Sequence, residues 1–328
     1  MQAFEYASPK TLKEALSLLR TRWGEVDMLA GGTDLLSLMK DYLHTPRRVV
    51  SLGGIQELRG IRFASDGLHL GAMVTLEELL EHARVRKEYP ALTEAALGVR
   101  SPQIRALGTV GGDLCQRPRC WYFRRGFGVL ARDASGRELV PNGENRYHAI
   151  LGNTGPAKFV SASSFGPPFA ALGAKIVIAS ASGRRTVEVE KFFRAPSDPG
   201  AREVDLEPNE ILTEVVVPLT AGLRNATYEV RQRQALDWPL ATASVALNMS
   251  GGAVDAARVV LGHVAPTPWN SEAAARALAR QPVTESTAQA AAEAALAAAT
   301  PLSKNAYKVQ LAKVAVKRAL LAAAGRAA

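Results

Sequence analysis

The alternation of apolar and polar residues writes a series of short elements into the chain. In "FEYASPKTLKEALSLLR" a strand-like run is followed by Thr11, then by Leu12, Ala15, Leu16 and Leu19 at helical spacing, with Glu14 completing a capping box. "VDMLAGGTDLLSLMK" repeats that order: an apolar run, two glycines, Thr33 and Asp34 as candidate caps, and an amphipathic helix from Leu35. "RRVVSLGGI" supplies another short buried strand. Over 60–74 apolar and polar residues alternate around a turn at "SDG", as in a hairpin, and "TLEELLEHARV" restarts a helix with Thr75 and Glu78 as its capping box. A further helix fits 91–99.

Periodicity then fails over 116–170, where Gly, Pro, Ser and Arg are frequent. A loop this long inside a compact domain is either functional or an insertion. "FAALGAKIVIAS" resumes with a helix leading into a β-branched strand, and "ILTEVVVPL" reads as the strand that closes the first unit. Three strand-like runs follow, "TYEVRQR", "ATASVALNMS" and "AVDAARVVLGHV", the last two joined at Gly251 and Gly252, which predicts a three-stranded meander. Alanine-rich helices are expected over 272–280, 286–298 and 306–324, the last with lysines and arginines opposite its apolar face. The pattern predicts an α+β chain: a first unit over 1–222, with lobes at about 1–58 and 59–222 and a loop insertion at about 116–160, then a second unit over 223–328 made of three strands and a helical bundle.

Composition narrows the classes. At 328 residues, 47% hydrophobic and 22% charged, the chain can bury a core in each of two or three domains. No apolar window approaches the length of a membrane-spanning helix, and no export signal is expected. Cys115 and Cys120 are too few for a disulfide framework, so a reducing, cytoplasmic setting is the default. The net charge of +9 suits an anionic ligand, an acidic partner or nucleic acid. Nucleic acid is set aside, because no basic stripe alternates with aromatic residues and no recognition motif accompanies the charge. His44, His69, His82, His148 and His263 are dispersed and form no metal or triad pattern.

Two glycine segments carry the candidate chemistry. "LAGGTDLL" and "LGTVGGDL" each place a glycine pair ahead of a helical run, where backbone N–H groups approach an anion without steric hindrance. Together they are expected to grip one diphosphate from two sides. Neither is a GxGxxG or Walker loop, so an ordinary Rossmann site is not indicated.

"LAGGTDLL", "RSPQIRALGTVGGDL", "RQRQALDWPLATASVAL" and "GHVAPTPWNSEAAARAL", in that order and over nearly the whole chain, resemble the FAD-binding medium subunits of the molybdenum hydroxylase, or xanthine dehydrogenase, family. Within it, "QRPRCWYFR" and "NGENRYHAILG" look most like the FAD subunit of periplasmic-type bacterial aldehyde oxidoreductases. The resemblance implies a two-lobed FAD domain of the vanillyl-alcohol-oxidase type. Its site would comprise Leu29, Ala30, Gly31, Gly32, Thr33, Asp34 and Leu35, then Thr109, Gly111, Gly112 and Asp113, with Arg119, Ser164 and Arg231 added from elsewhere. It also implies a small partner subunit holding [2Fe-2S] clusters, a large one holding the molybdenum cofactor, and an external electron acceptor such as NAD or oxygen. No catalytic residue for substrate oxidation is then expected in this chain. Periplasmic location would require co-export with a partner bearing a signal.

Departures from the family pattern carry their own expectations. Aldehyde-oxidoreductase relatives hold a [4Fe-4S] cluster on four cysteines of the insertion. Only Cys120 matches such a position here and Ala157 occupies the last, so no such cluster is expected. Asp113 replaces a common Asn and should repel a diphosphate unless it meets a ribityl hydroxyl. Ser164 replaces an Asp, and Arg231 a Lys. These substitutions raise the alternative of a structural subunit with impaired cofactor binding.

Overall fold

The computed structural model describes residues 1–233 and 237–326, so the middle of the "RQRQALDWPL" segment and the last two residues lie outside the described residues. Its first sheet is parallel. Strands β1 (Glu5–Ala7), β2 (Val26–Leu29) and β3 (Arg48–Ser51) pair in the order β1-β3-β2. Parallel neighbours need crossovers, and α1 (Leu12–Leu18) and α2 (Leu35–Lys40) provide helices for them. The capping box at Thr11 and Glu14 starts α1 as expected, and Leu12, Ala15 and Leu19 pack with Val50 and Ile55 in the core of this lobe.

The second sheet is antiparallel. The hairpin β4 (Ile61–Ala64) and β5 (Gly67–Gly71) is followed by a run of short helices: α3 (Leu76–Glu81), α4 (Ala83–Glu88), α5 (Pro90–Gly98), α6 (Pro102–Leu107), α7 (Val110–Cys115) and α8 (Trp121–Arg124). Then come α9 (Gly166–Ala171), β6 (Lys175–Ser180), β7 (Gly183–Glu188), α10 (Val189–Phe192) and β8 (Ile211–Val217), giving the strand order β4-β5-β8-β6-β7. Leu68, Leu70, Val215 and Val217 meet Tyr89, Leu92, Phe165 and Phe169 in its core. The single helix expected from Leu76 is divided, because His82 leaves helical geometry and its Nδ1 accepts the Val85 amide as a new N-cap. β7 escaped the pattern because it is a polar edge strand, "GRRTVE", of the kind that charge protects from edge-to-edge pairing.

The third sheet contains β9 (Arg224–Val230), β10 (Ala241–Ser250), β11 (Ala253–Gly262) and β12 (Trp269–Asn270) in the order β12-β11-β10-β9. The expected three-stranded meander thus gains a two-residue fourth strand, too short to show any periodicity. Helices α11 (Glu272–Leu278), α12 (Glu285–Leu296) and α13 (Tyr307–Ala323) cover it. Ala288, Ala291, Ala292, Ala312, Ala315 and Ala319 are fully buried in this layer, where small side chains permit close approach. Among the described residues, no helix is long and apolar enough to cross a membrane.

The insertion is irregular but firmly tied. The Ile150 and Leu151 amides donate to Val264 O at 2.8 and 3.1 Å, Thr300 N donates to Ile150 O at 2.7 Å, and Asn305 Nδ2 donates to His148 O at 3.1 Å. It buttresses the C-terminal unit and fixes the position of residues 116–124 beside the glycine segments.

Candidate functional site

The two glycine segments come together at the end of α6. A Cβ on Gly31 would fall 1.7 Å from Leu107 O, so only glycine allows this backbone contact, and Gly32 has a φ of +74° that L side chains rarely adopt. Gly32 O accepts the Leu36 amide at 3.2 Å. Among the described residues, no acceptor meets the main-chain N–H groups of Gly32, Thr33, Asp34 or Leu35, and this row of donors is open to a ligand.

The second pair is built differently. It does not follow a strand: Thr109 lies after α6, bridges to Thr75, and caps α7, within which Gly111 and Gly112 lie. Gly111 N donates to Ala72 O at 2.9 Å and Gly112 N to Thr109 Oγ1 at 3.1 Å. The expected grip by free amides from both sides is therefore one-sided. The second pair contributes an absence of side chains: a Cβ at Gly112 would meet only Thr109 Oγ1 at 2.9 Å and Ala30 Cβ at 3.8 Å.

Two cavities meet here. An inner one of about 160 Å³ is walled by Ala30 to Leu35, Thr109, Gly111 and Gly112, and runs to Trp23, Asp27, His44, Arg117 and Arg202. An outer one of about 400 Å³ is walled by Asp113, Arg119, Ser164 and Arg231, with Arg100, Ile104 and Trp238. Thr33, Asp34, Thr109, Gly112 and Gln116 border both, so the combined space is narrowed at the glycine segments. The structure brings together every expected site residue except Leu29, which ends β2, accepts the Leu52 amide on its carbonyl at 2.9 Å and lines neither cavity.

Asp34 does not cap α2. Its Oδ1 accepts from Arg119 Nη1 at 2.7 Å and Arg124 Nη2 at 2.8 Å, and its Oδ2 accepts from Arg117 N at 2.8 Å. Burial alone would raise this carboxyl, but Arg119, Arg124 and the Arg117 amide outweigh it and hold Asp34 below its usual range. The contact pins the insertion's first turn over the first glycine pair. Arg119 also places its guanidinium 4.6 Å from the Trp238 ring centroid and donates to Gln116 Oε1 at 2.8 Å.

Asp113 is nearly enclosed. Its carboxylate accepts from Ser163 Oγ at 2.5 Å, Gln116 Nε2 at 2.8 Å, Phe165 N at 3.0 Å and Ser164 N at 3.2 Å. Burial pushes its pKa up, opposed by the same Ser163, Phe165 and Ser164 donors and by Arg119. The expected repulsion of a diphosphate is met by this arrangement: the charge is spent on holding the 163–165 loop. Arg231 pairs with buried Glu229, whose carboxyl burial pushes up, while Arg231 pulls it back.

The residues missed by sequence reasoning gather at the inner end, and of them only Arg117 lies in a quoted motif, "QRPRCWYFR". At the inner end Arg117 Nε donates to Glu203 Oε1 at 2.6 Å and its Nη1 lies 3.1 Å from His44 Nε2, while His44 Nδ1 is 3.0 Å from Asp27 Oδ2. The Arg202 guanidinium lies 4.1 Å from the Trp23 ring centroid. These side chains are far apart in sequence, and only the fold gathers them.

The insertion does not fit an iron–sulfur cluster. Both cysteines are free; Cys115 lines the inner cavity with its thiol pushed up to about 12 by burial, and Cys120 Sγ lies 3.2 Å from His148 Nε2. Ala157 is packed with Phe123, Val129, Leu130 and Phe159, so the position of the last expected ligand is apolar.

Comparison with known proteins agrees with this layout. Residues 2–220 match the FAD binding domain in molybdopterin dehydrogenase, and 226–323 match the CO dehydrogenase flavoprotein C-terminal domain. The chain is 33% identical to the carbon monoxide dehydrogenase medium chain of Hydrogenophaga pseudoflava, covering 99% of this chain and 98% of the relative. It is 30% identical to the aldehyde oxidoreductase FAD-binding subunit PaoB of Escherichia coli, covering 95% and 96%. It superposes on a chain of quinoline 2-oxidoreductase from Pseudomonas putida 86 with a TM-score of 0.76 at 28% identity, covering 98% and 97%. The chain belongs to the molybdenum hydroxylase family as an FAD-binding medium subunit, an oxidoreductase component whose part is electron transfer.

Proposed function

We propose that FAD occupies the two joined cavities, with its diphosphate on the free N–H groups of Gly32 to Leu35 and its two ends in the inner and outer cavities. The single observation that carries this reading is the row of unsatisfied amides facing a space that Gly112 leaves open. Thr33, Asp34, Leu35, Ala30, Gly31, Thr109 and Gly111 shape the narrow part; Asp113, Arg119, Ser164 and Arg231 belong to the outer end. FAD, when bound, supplies the exchange between single electrons and electron pairs.

This chain's own residues hold and shape the site. Asp34 fixes Arg119 and Arg124, Asp113 fixes the 163–165 loop, and the buried Glu229–Arg231 pair places a positive group beside the outer cavity. The partners that fit are a small [2Fe-2S] subunit as electron donor and a large molybdenum-cofactor subunit as the place of substrate oxidation, with an external acceptor such as NAD or oxygen. The boundary between the FAD unit and the C-terminal unit is placed at 222/223. Free thiols suit a cytoplasmic setting.

The test is purification of the full chain with its partners, followed by an absorption spectrum and metal analysis. Flavin absorption, with iron and molybdenum in the complex, is the expected result. A colourless chain that fails to take up added FAD would refute the cofactor site.

A further inference from the structure

The joint between the two units carries a buried charge, Glu229, placed by residues of both. Strand β9 is an edge of its sheet, and α5 lies along it, so that helix residues about one turn apart meet alternate strand positions. Ala91 N donates to Asn225 Oδ1 at 3.0 Å, the Glu94 carboxylate accepts the Thr227 amide, and Gly98 faces Glu229, where any Cβ would collide with the carboxylate. Gly98 also lines the outer cavity, so glycine at the end of α5 admits the Glu229 carboxylate directly behind that wall.

Glu229 is poorly satisfied for an ionised group. Its side chain is 8% exposed and pairs with Arg231, and among the described residues its Oε1 has no hydrogen-bond partner. Burial therefore favours the neutral carboxyl, Arg231 and then Arg100 favour the ion, and Asp113 on α7 adds to the push towards the neutral form. Glu94, one turn before Gly98, is itself pushed up to about 7 by burial. Thr242, the β10 residue opposite Glu229, carries no charge. Arg231 is shared: it lines the outer cavity, and its Nη1 donates to Asp237 O at 3.3 Å. A negative charge arriving on the cavity side of Arg231 competes with Glu229 for the same cation.

At about 400 Å³ the outer cavity is the one with room for three fused rings, and the inference rests on the flavin ring system lying there. We propose that Glu229 is a positioning residue for electron transfer: acting through Arg231, it takes up one proton from solvent when the flavin is reduced and releases it on reoxidation. Two electrons from a reduced iron–sulfur donor and one proton, which forms the N5–H bond, make the flavin anionic. A second proton forms an O–H bond at Glu229 Oε1 and frees the Arg231 charge for that anion. When the two electrons leave, both protons return to solvent.

The reduction potential of the bound flavin is measured against pH by dye-referenced titration of the full chain with FAD. In the parent it should fall with rising pH more steeply than the flavin's own protons require; in Glu229→Gln, which fixes the neutral form, that excess slope should vanish. The two curves should coincide at low pH and part at high pH. There Glu229→Gln should hold at least tenfold more reduced over oxidised flavin at equal potential, about 30 mV for a two-electron couple. Glu229→Asp should restore the excess, and Glu94→Gln should keep it. Equal slopes in the parent and Glu229→Gln, or loss of the excess in Glu94→Gln instead, would overturn the proposal. Glu229→Met removes the same charge and carries the same expectation where Glu229→Gln does not fold. A parent that takes up no FAD refutes the flavin site itself, a result distinct from a flavin-bearing parent whose slope is independent of Glu229.

Discussion

The two glycine pairs look interchangeable as strings, "AGGTD" and "VGGDL", yet they do different physical work. At Gly31 and Gly32 glycine is needed for the chain path itself, because Gly31 lies against Leu107 O and Gly32 is left-handed. That path leaves four amides without protein acceptors. At Gly111 and Gly112 the backbone is helical and its amides are spent on Ala72 O and Thr109 Oγ1. Here glycine serves close packing at one position and open space at the other. Donors and room for the same ligand thus come from opposite walls, so mutations on the two sides should fail in different ways.

The largest effect is expected at the first pair. Gly31→Ala sets a Cβ against backbone, which cannot rotate away, and should cost more than about 4 kcal/mol and abolish FAD uptake, read by chemical denaturation and flavin absorption. Asp34→Ala leaves Arg119 and Arg124 without their shared carboxylate and should cost roughly 3–5 kcal/mol. The acid limb sharpens this: the folded Asp34 pKa is depressed, so its stabilisation is present above the unfolded value of about 3.8 and is lost as pH falls through the folded one. Melting temperature in the parent should therefore fall below about pH 4 more steeply than in Asp34→Asn.

Smaller effects are expected at the second pair. Gly111→Ala brings a Cβ to 2.8 Å from Ala72 Cβ and should destabilise by about 1–3 kcal/mol through overpacking. Gly112→Ala disturbs only the Thr109 hydroxyl and should change stability by less than about 1 kcal/mol. Its mark should be on the ligand: FAD affinity, measured by fluorescence titration, should fall about tenfold or more, corresponding to about 1.4 kcal/mol. If Gly112→Ala bound FAD normally and Gly111→Ala did not, the division of labour drawn between these glycines would be reversed.

Much of the layout was legible because it is local. Both capping boxes, at Thr11 and Thr75, form between residues three apart, and the hairpin turn before Gly67 joins strands only two residues apart. The apolar face of α13 and the three long strands of the last sheet have strong periodicity. Helix α6 was not foreseen although Ser101 and Pro102 form a start signal, because six residues show no periodicity, and α7 was expected to follow its glycines but contains them, held by the Thr109 cap.

By itself, the sequence determined the element order, the α+β class, the two glycine segments and, by its ordered motifs, the family. Tertiary structure alone decided which amides remain free, that Leu29 stays outside the cleft, and that Trp23, Asp27, His44 and Arg202 enter it. It also turned Asp34 from a helix cap into the clamp of the insertion, through partners 83, 85 and 90 residues away. The reason is one of range: caps, turns and periodic faces are settled by neighbours along the chain, whereas the satisfaction of a buried donor or charge depends on whichever distant group the fold places beside it.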